Sequence, residues 1–239
     1  SLPIFLFVQE PARRRPARPM GGGVLVGAIR QVGRTARHVG RYRCLGRFLL
    51  GRVFYTDAAN TLIVFMGIYA IQEIGYSETV TPILFLVATT AAVMGGFLLG
   101  PVVDRHGPKR TLDWVLVLWM TVIGAAVLVP VLGLPRFLFW GIACGAGVAL
   151  GGTWSADRPL MLVLSPPAKL GEFYGLYSMV GRFAAVAGPL LWAFVAEGLG
   201  LGRPAAVAVL GLMVLTAWLI LRPVDDLERD WSPEERGGV

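Results

Sequence analysis

Asp57 and Asn60 stand three residues apart, a spacing that puts both on one face of a helix. A carboxyl group beside a carboxamide can exchange a proton or hold the polar end of a small solute, the chemistry for which ionisable groups are kept inside membranes. Arg182 supplies the opposite charge from a second apolar run, about ten residues from its start. A charge at mid-membrane costs about 2.5–3.5 kcal/mol on insertion scales, so such a group faces protein or water and has a partner. Asp57 and Arg182 lie at similar depth. The expectation is that they pair, or that they share a polar cavity for a solute or a coupling proton. A structural ion pair that fixes helix packing is the competing expectation.

A second constellation is Gly100-Pro-Val-Val-Asp104-Arg105-His106-Gly107-Pro108-Lys109-Arg110. It reads as a short charged turn between two long runs without charge, Thr79 to Val103 (25 residues) and Trp114 to Pro135 (22 residues). Each run is long enough to cross a bilayer as a helix, which takes about 20 residues. The turn therefore belongs at a membrane surface. Charge alone requires neither Gly100, Gly107 nor Asp104, which points to a mechanical role. Asp104 is suited to accept hydrogen bonds from the first turn of a facing helix, where the helix dipole favours an anion. Arg158, at another turn on the same side, is a second candidate partner. A topology signal from Arg105, Lys109 and Arg110 is the simpler alternative.

These residues need long membrane helices to hold them, and the composition supplies them. Of 239 residues, 55% are hydrophobic and only 15% charged, with mean hydropathy +0.65. Soluble domains carry nearer 25% charge. The apolar runs are continuous rather than alternating, which selects helices over a barrel. The expected fold is all-α and polytopic, with six spans: Phe48 to Ile71, Thr79 to Gly100, Thr111 to Val131, Phe137 to Ala156, Phe173 to Ala196 and Arg203 to Leu221. Gly188-Pro189 predicts a kink in the fifth, because proline removes a backbone hydrogen bond. Gly96 with Gly100, Gly141 with Gly145, and Gly147 with Gly151 are each four apart, the spacing that lets helix backbones approach closely.

The remaining domains are a short apolar stretch over 1–8, a basic linker over 9–47, the six-helix region over 48–222 and a polar tail over 223–239. The stretch 1–8 reads as the end of a truncated membrane helix. Within the linker, Leu25, Ile29, Val32, Ala36 and Val39 alternate with Arg30, Arg34, Arg37 and Arg41 at helical spacing, as expected of an amphipathic helix on an anionic leaflet. Nineteen of the 22 Lys and Arg fall on the side of this linker. Arg136 and Arg203 fall on the opposite side, and Arg182 within a span. That asymmetry makes the linker side cytoplasmic. It also accounts for the net charge of +7 without nucleic acid. Cys44 and Cys144 sit in unlike environments, so no disulfide is expected.

The turn resembles the signature loop of the major facilitator superfamily, in which Gly, Asp, a basic residue, Gly and further basic residues recur between the second and third helices of a half. Gly100, Asp104, Arg105, Gly107, Lys109 and Arg110 occupy those places, and Pro108 departs from the usual Arg. Three segments are similar to its vacuole effluxer-like branch. They are Arg47 to Arg52 with Phe54 to Thr61 and Gly67 to Ala70, Pro166-Pro167 with Glu172 to Tyr177, Gly181 to Phe183 and Gly188 to Leu190, and Leu2 to Val8. Trp154-Ser155-Ala156-Asp157-Arg158 departs from the branch, which often carries Gln-Ala-x-Ser-Arg there.

The resemblance implies the second half of a twelve-helix secondary transporter: the end of helix six, a cytoplasmic linker and helices seven to twelve. A first half also has six helices with the loop after the second, and is the competing placement. The partners implied are the lipid bilayer, the missing N-terminal half, a small-molecule substrate such as an amino acid destined for efflux, and a coupling proton. In a bacterium the location would be the inner membrane. No cofactor or metal is implied. The rivals are a non-transporting scaffold and a membrane enzyme. The latter would need clustered His, Cys or carboxylates, and the chain has only His38 and His106, far apart.

Overall fold

The structure is a computed structural model and describes residues 42–225. The expected apolar segment 1–8, the amphipathic helix of the linker and the tail beyond 225 lie outside the described residues. Among the described residues, six helical segments are long and apolar enough to cross a membrane. They comprise α1 (Arg43–Gln72), α2 (Val80–His106), α3 (Pro108–Val131), α4 (Leu138–Leu164), a composite fifth segment and α7 (Gly202–Leu221). The composite runs through a 3₁₀ turn (Pro167–Lys169), α5 (Leu170–Phe183), α6 (Ala187–Ala193) and a π turn (Phe194–Gly198).

Element bounds differ from the sequence reading in three places, each with a physical cause. Residues 43–47, assigned to the linker, form the first turn of α1, because Leu45, Phe48 and Leu49 are already buried. The fourth span does not stop at Ala156 but continues to Leu164, where Leu160, Met161 and Leu164 are fully buried. The charged turn is mostly helix. Asp104, Arg105 and His106 complete α2, Pro108 opens α3, and Gly107 alone makes the corner. Its φ of +84° lies where a side chain is strained, which is why glycine stands there. The Gly107 N–H bonds the Val103 carbonyl at 2.9 Å, and its own carbonyl accepts the Thr111 hydroxyl at 2.9 Å, so the corner is tied on both sides. Pro108 suits the first helical position, where its missing N–H costs nothing.

The predicted kink in the fifth segment is a full break over residues 184–186. Pro189 offers no N–H to the Ala185 carbonyl and its ring would crowd it. Val186, at φ −112° and ψ −45°, leads into α6.

Helix α2 packs most extensively on α4, α1 on α7, and α3 on both α4 and α7. Small residues set the α2–α4 approach. A Cβ on Gly151 would stand 2.0 Å from the Ala92 carbonyl oxygen, and one on Gly147 would stand 2.1 Å from that of Ala88. This is the close contact expected of the Gly147/Gly151 pair. Gly100 and Gly141 have nothing within 4 Å at the same test, so the other predicted pairs are not both packed. Across α1 and α7 at one end, Arg203 Nη1 bonds Glu73 Oε1 at 3.1 Å. Nearby in sequence, the Tyr76 hydroxyl bonds the Arg136 carbonyl at 2.7 Å. Arg203 through its side chain and Arg136 through its backbone carbonyl thus both meet the α1–α2 connection.

Candidate intramembrane polar site

Two polar clusters are buried in the bundle, and both start from α1. The deeper one is Asp57, fully buried at the midpoint of the helix. Its Oδ2 accepts the Gly188 N–H at 2.8 Å. That N–H is available because the break before Pro189 leaves the first turn of α6 without helical acceptors. The Asp57 Oδ1 and the Thr61 hydroxyl, one turn apart on α1, are both buried and have no hydrogen-bond partner. Both border Gly188. A Cβ there would lie 2.0 Å from Thr61 Oγ1 and 2.8 Å from Asp57 Oδ1, so only glycine allows α6 to come this close.

The second cluster lies five residues back along α1, roughly 7–8 Å nearer the basic end. Arg52 Nε bonds Asp157 Oδ2 at 2.9 Å, and Arg52 Nη1 donates to the Tyr177 carbonyl at 2.9 Å. Asp157 also accepts the hydroxyls of Tyr55, at Oδ1, and Tyr177, at Oδ2, the latter at 2.6 Å. The guanidinium lies 3.7 Å from the centroid of the Tyr177 ring, adding a cation–π contact. A Cβ on Gly181 would fall 2.6 Å from Arg52 Nη1, so glycine makes room for the charge. The network ties α1, α4 and α5 together, and both oxygens of the carboxylate have donors.

The sequence-derived candidates separate accordingly. Asp57 is at the site, and Asn60 is half-buried on the next turn. Arg182 is exposed in the last turn of α5 and makes no ion pair with Asp57 among the described residues. The expected Asp57–Arg182 pairing is therefore corrected: the buried arginine is Arg52, its carboxylate is Asp157, and Asp57 holds a backbone N–H instead. Asp157 was missed because the fourth span was ended one residue before it. The signal was present in Pro159-Leu-Met-Leu-Val-Leu164, an apolar run that carries the helix past the charge.

In the loop constellation, Asp104, Arg105, Arg110 and Arg158 are all exposed, and Gly100 borders open space. Asp104 and Arg158 do not pair with each other among the described residues. Lys109 is buried and reaches Asp113 at 2.5 Å one turn along α3. Arg105 and His106 close the C-terminal turn of α2, where positive charge suits the helix dipole. Apart from both polar clusters, α1 to α4 line a partly open cavity of about 340 Å³ with an apolar wall that includes Met66, Phe85, Trp119 and Phe139.

Six apolar helices, buried charges in mid-span and an exposed charged corner after the second helix now stand beside the comparisons with known proteins. The family model described as "Vacuole effluxer Atg22 like" matches residues 1–229. The chain belongs to that family. Among its relatives is the "Uncharacterized MFS-type transporter YxiO" of Bacillus subtilis, 25% identical over 212 residues, covering 89% of this chain and 48% of the relative. "Autophagy-related protein 22-2" of Aspergillus niger is 26% identical over 189 residues, covering 72% of this chain and 31% of the relative. This Atg22-like chain thus spans about half the length, or less, of the curated relatives it matches. No solved structure matches it.

Proposed function

We propose that the six spans form one lobe of a carrier that moves a small solute across the membrane by alternating access. The observation that carries this reading is Asp57: a fully buried carboxyl group at mid-helix, docked on the break of a discontinuous span. A buried carboxyl group without a counter-ion inside a span is where a pathway is first sought, and discontinuous helices are where transporters build their sites. Asp57 and Asn60 line the route of the solute or of a coupling proton. Arg182 faces a second lobe or the water between the lobes, because an exposed guanidinium in a span is not left to lipid.

The exposed corner has the complementary role. Asp104 engages a helix of the second lobe in one state and releases it in the other, with Gly100 and Gly107 giving the close approach, Lys109 bracing the start of α3 on Asp113, and the exposed Arg105, Arg110 and Arg158 holding that end at the cytoplasmic surface. The printed names of the relatives support a transporter, and efflux of amino acids is the first solute class to test.

The experiment is solute counterflow in proteoliposomes containing the full-length protein, with a panel of radiolabelled neutral amino acids and organic acids. Counterflow of any panel member supports the carrier, and Asp104→Asn is expected to slow it severalfold while inserting normally. A scaffold or a membrane enzyme gives no counterflow, and an unchanged rate in Asp104→Asn removes the proposed role of the corner.

A further inference from the structure

We propose that the apolar cavity lined by α1 to α4 is a binding site for one acyl chain of a bilayer lipid. The site stands whether or not the bundle carries a solute, since it needs only that the spans lie in lipid. Its wall joins two kinds of residue. Ala88 and Ala92 on α2, with Ala143 and Ala146 on α4, are small, and they sit where Gly147 and Gly151 bring these two helices together. Met66 on α1 and Trp119 on α3 are large and belong to helices that pack chiefly on other neighbours. Helices α1 and α3 meet at one end of the cavity, where the Tyr69 hydroxyl donates to the Ala126 carbonyl at 2.8 Å. Phe139, stacked on Tyr69 with ring centroids 6.2 Å apart, closes that end.

The chemistry of the wall selects hydrocarbon. Among the described residues that form it, none is charged. The Trp119 indole N–H is already donated to Thr153 Oγ1 at 3.1 Å, and the Thr153 hydroxyl donates in turn to the Ala149 carbonyl at 2.8 Å. A site that orients a polar solute places a few convergent polar groups in its wall. Here the indole is turned to its own partner, and the Thr89 hydroxyl belongs to an exposed residue.

Size and shape narrow the occupant further. A cavity of about 150 Å³ with an aliphatic wall stays dry and takes up benzene. At about 340 Å³ this one is more than twice as large, and protein interiors do not keep such voids empty. On α4 the wall runs from Phe139 to Trp154, which is roughly 22 Å along the helix axis. The space is thus drawn out along the spans, the direction in which acyl chains lie in a bilayer. Ile63, Val93 and Trp154 are wall residues that are also exposed, and they mark the open side by which the chain enters.

The test is photolabelling of the full-length protein in nanodiscs of phosphatidylethanolamine and phosphatidylglycerol, doped with phosphatidylethanolamine that bears a diazirine on one acyl chain. Irradiation followed by peptide mass spectrometry reads where the chain lies. Adducts are expected on Met66, Phe85 and Ile142, which are half-buried residues of the wall. Ala146→Phe fills the cavity and is expected to lower these adducts severalfold, leaving those on the exposed Leu212 and Leu219 of α7 unchanged. Wild-type protein labelled at Leu212 and Leu219 but not at the three wall residues overturns the proposal. Wall adducts that persist undiminished in Ala146→Phe overturn it too. Should Ala146→Phe fail to fold, Ala146→Leu replaces it, with a smaller fall expected at the same residues and no fall counting against the site. A solute from the counterflow panel that clears the wall adducts while sparing Leu212 and Leu219 makes the occupant a solute, and overturns the lipid site as well.

Discussion

Asp157 and Asp57 are both buried among the same helices, yet their surroundings are opposites. Asp157 has a guanidinium, two tyrosine hydroxyls and both oxygens engaged. Asp57 has only backbone N–H groups at the start of α6, Gly188 at 2.8 Å with Ala187 beside it, and an orphan oxygen. A buried charge with a complete shell is a fixed joint, since every route to removing one member leaves another uncompensated. A half-satisfied carboxyl group gains little from staying where it is, which is what a site that must change state requires. The difference teaches that burial of charge alone does not mark function in a membrane bundle. The open shell is what sets Asp57, the proposed site, apart from Asp157.

The sharpest way to break the comparison is Asp157→Ala. It strands Arg52 without its counter-ion and is expected to cost about 3–5 kcal/mol, read as a large fall in the thermal midpoint in detergent or as loss of folded protein. Replacing both partners, Arg52→Met with Asp157→Leu, is expected to recover most of that loss; failure to recover would make the pair more than a joint. Tyr177→Phe comes next, at about 1.5–3 kcal/mol, because it removes one hydrogen bond to a charged acceptor while keeping the ring under the guanidinium. Gly188→Ala follows, at about 1–3 kcal/mol from overpacking against Thr61. The double variant with Thr61→Ala is expected to be more stable than Gly188→Ala alone, measured in the same melt.

The smallest effect belongs to Asp57→Asn, at about 1 kcal/mol or less, since the amide oxygen can still accept the Gly188 N–H. A stability loss there as large as that of Asp157→Ala would erase the distinction between joint and site.

The break in the fifth span was legible in the sequence, because Gly188-Pro189 removes a donor and crowds a carbonyl whatever surrounds it. So was the corner at Gly107, set by glycine and proline in succession. The extent of that corner was not. A run of Asp, Arg and His looks like a turn, yet these residues continue a helix as readily as they leave it when their side chains point outward. The end of α4 was misplaced for a related reason. Asp157 looks like a surface residue until its partners are known, and the nearest of them by sequence is 20 residues away.

Hydrophobic length, the asymmetry of Lys and Arg, and the placement of Gly and Pro were enough to set the all-helical class, the six spans and the points where they bend. These are properties of the local chain in lipid, where each backbone N–H and C=O must be satisfied within its own segment. Partner choice was decided only by tertiary structure. Arg52 meets Asp157 across 105 residues, and Asp57 meets an N–H that exists only because another helix is broken 131 residues later. Which buried charge is completed and which is left open depends on how close two backbones come. That distance is set by the side chains missing from Gly181 and Gly188, and no spacing along the chain records it.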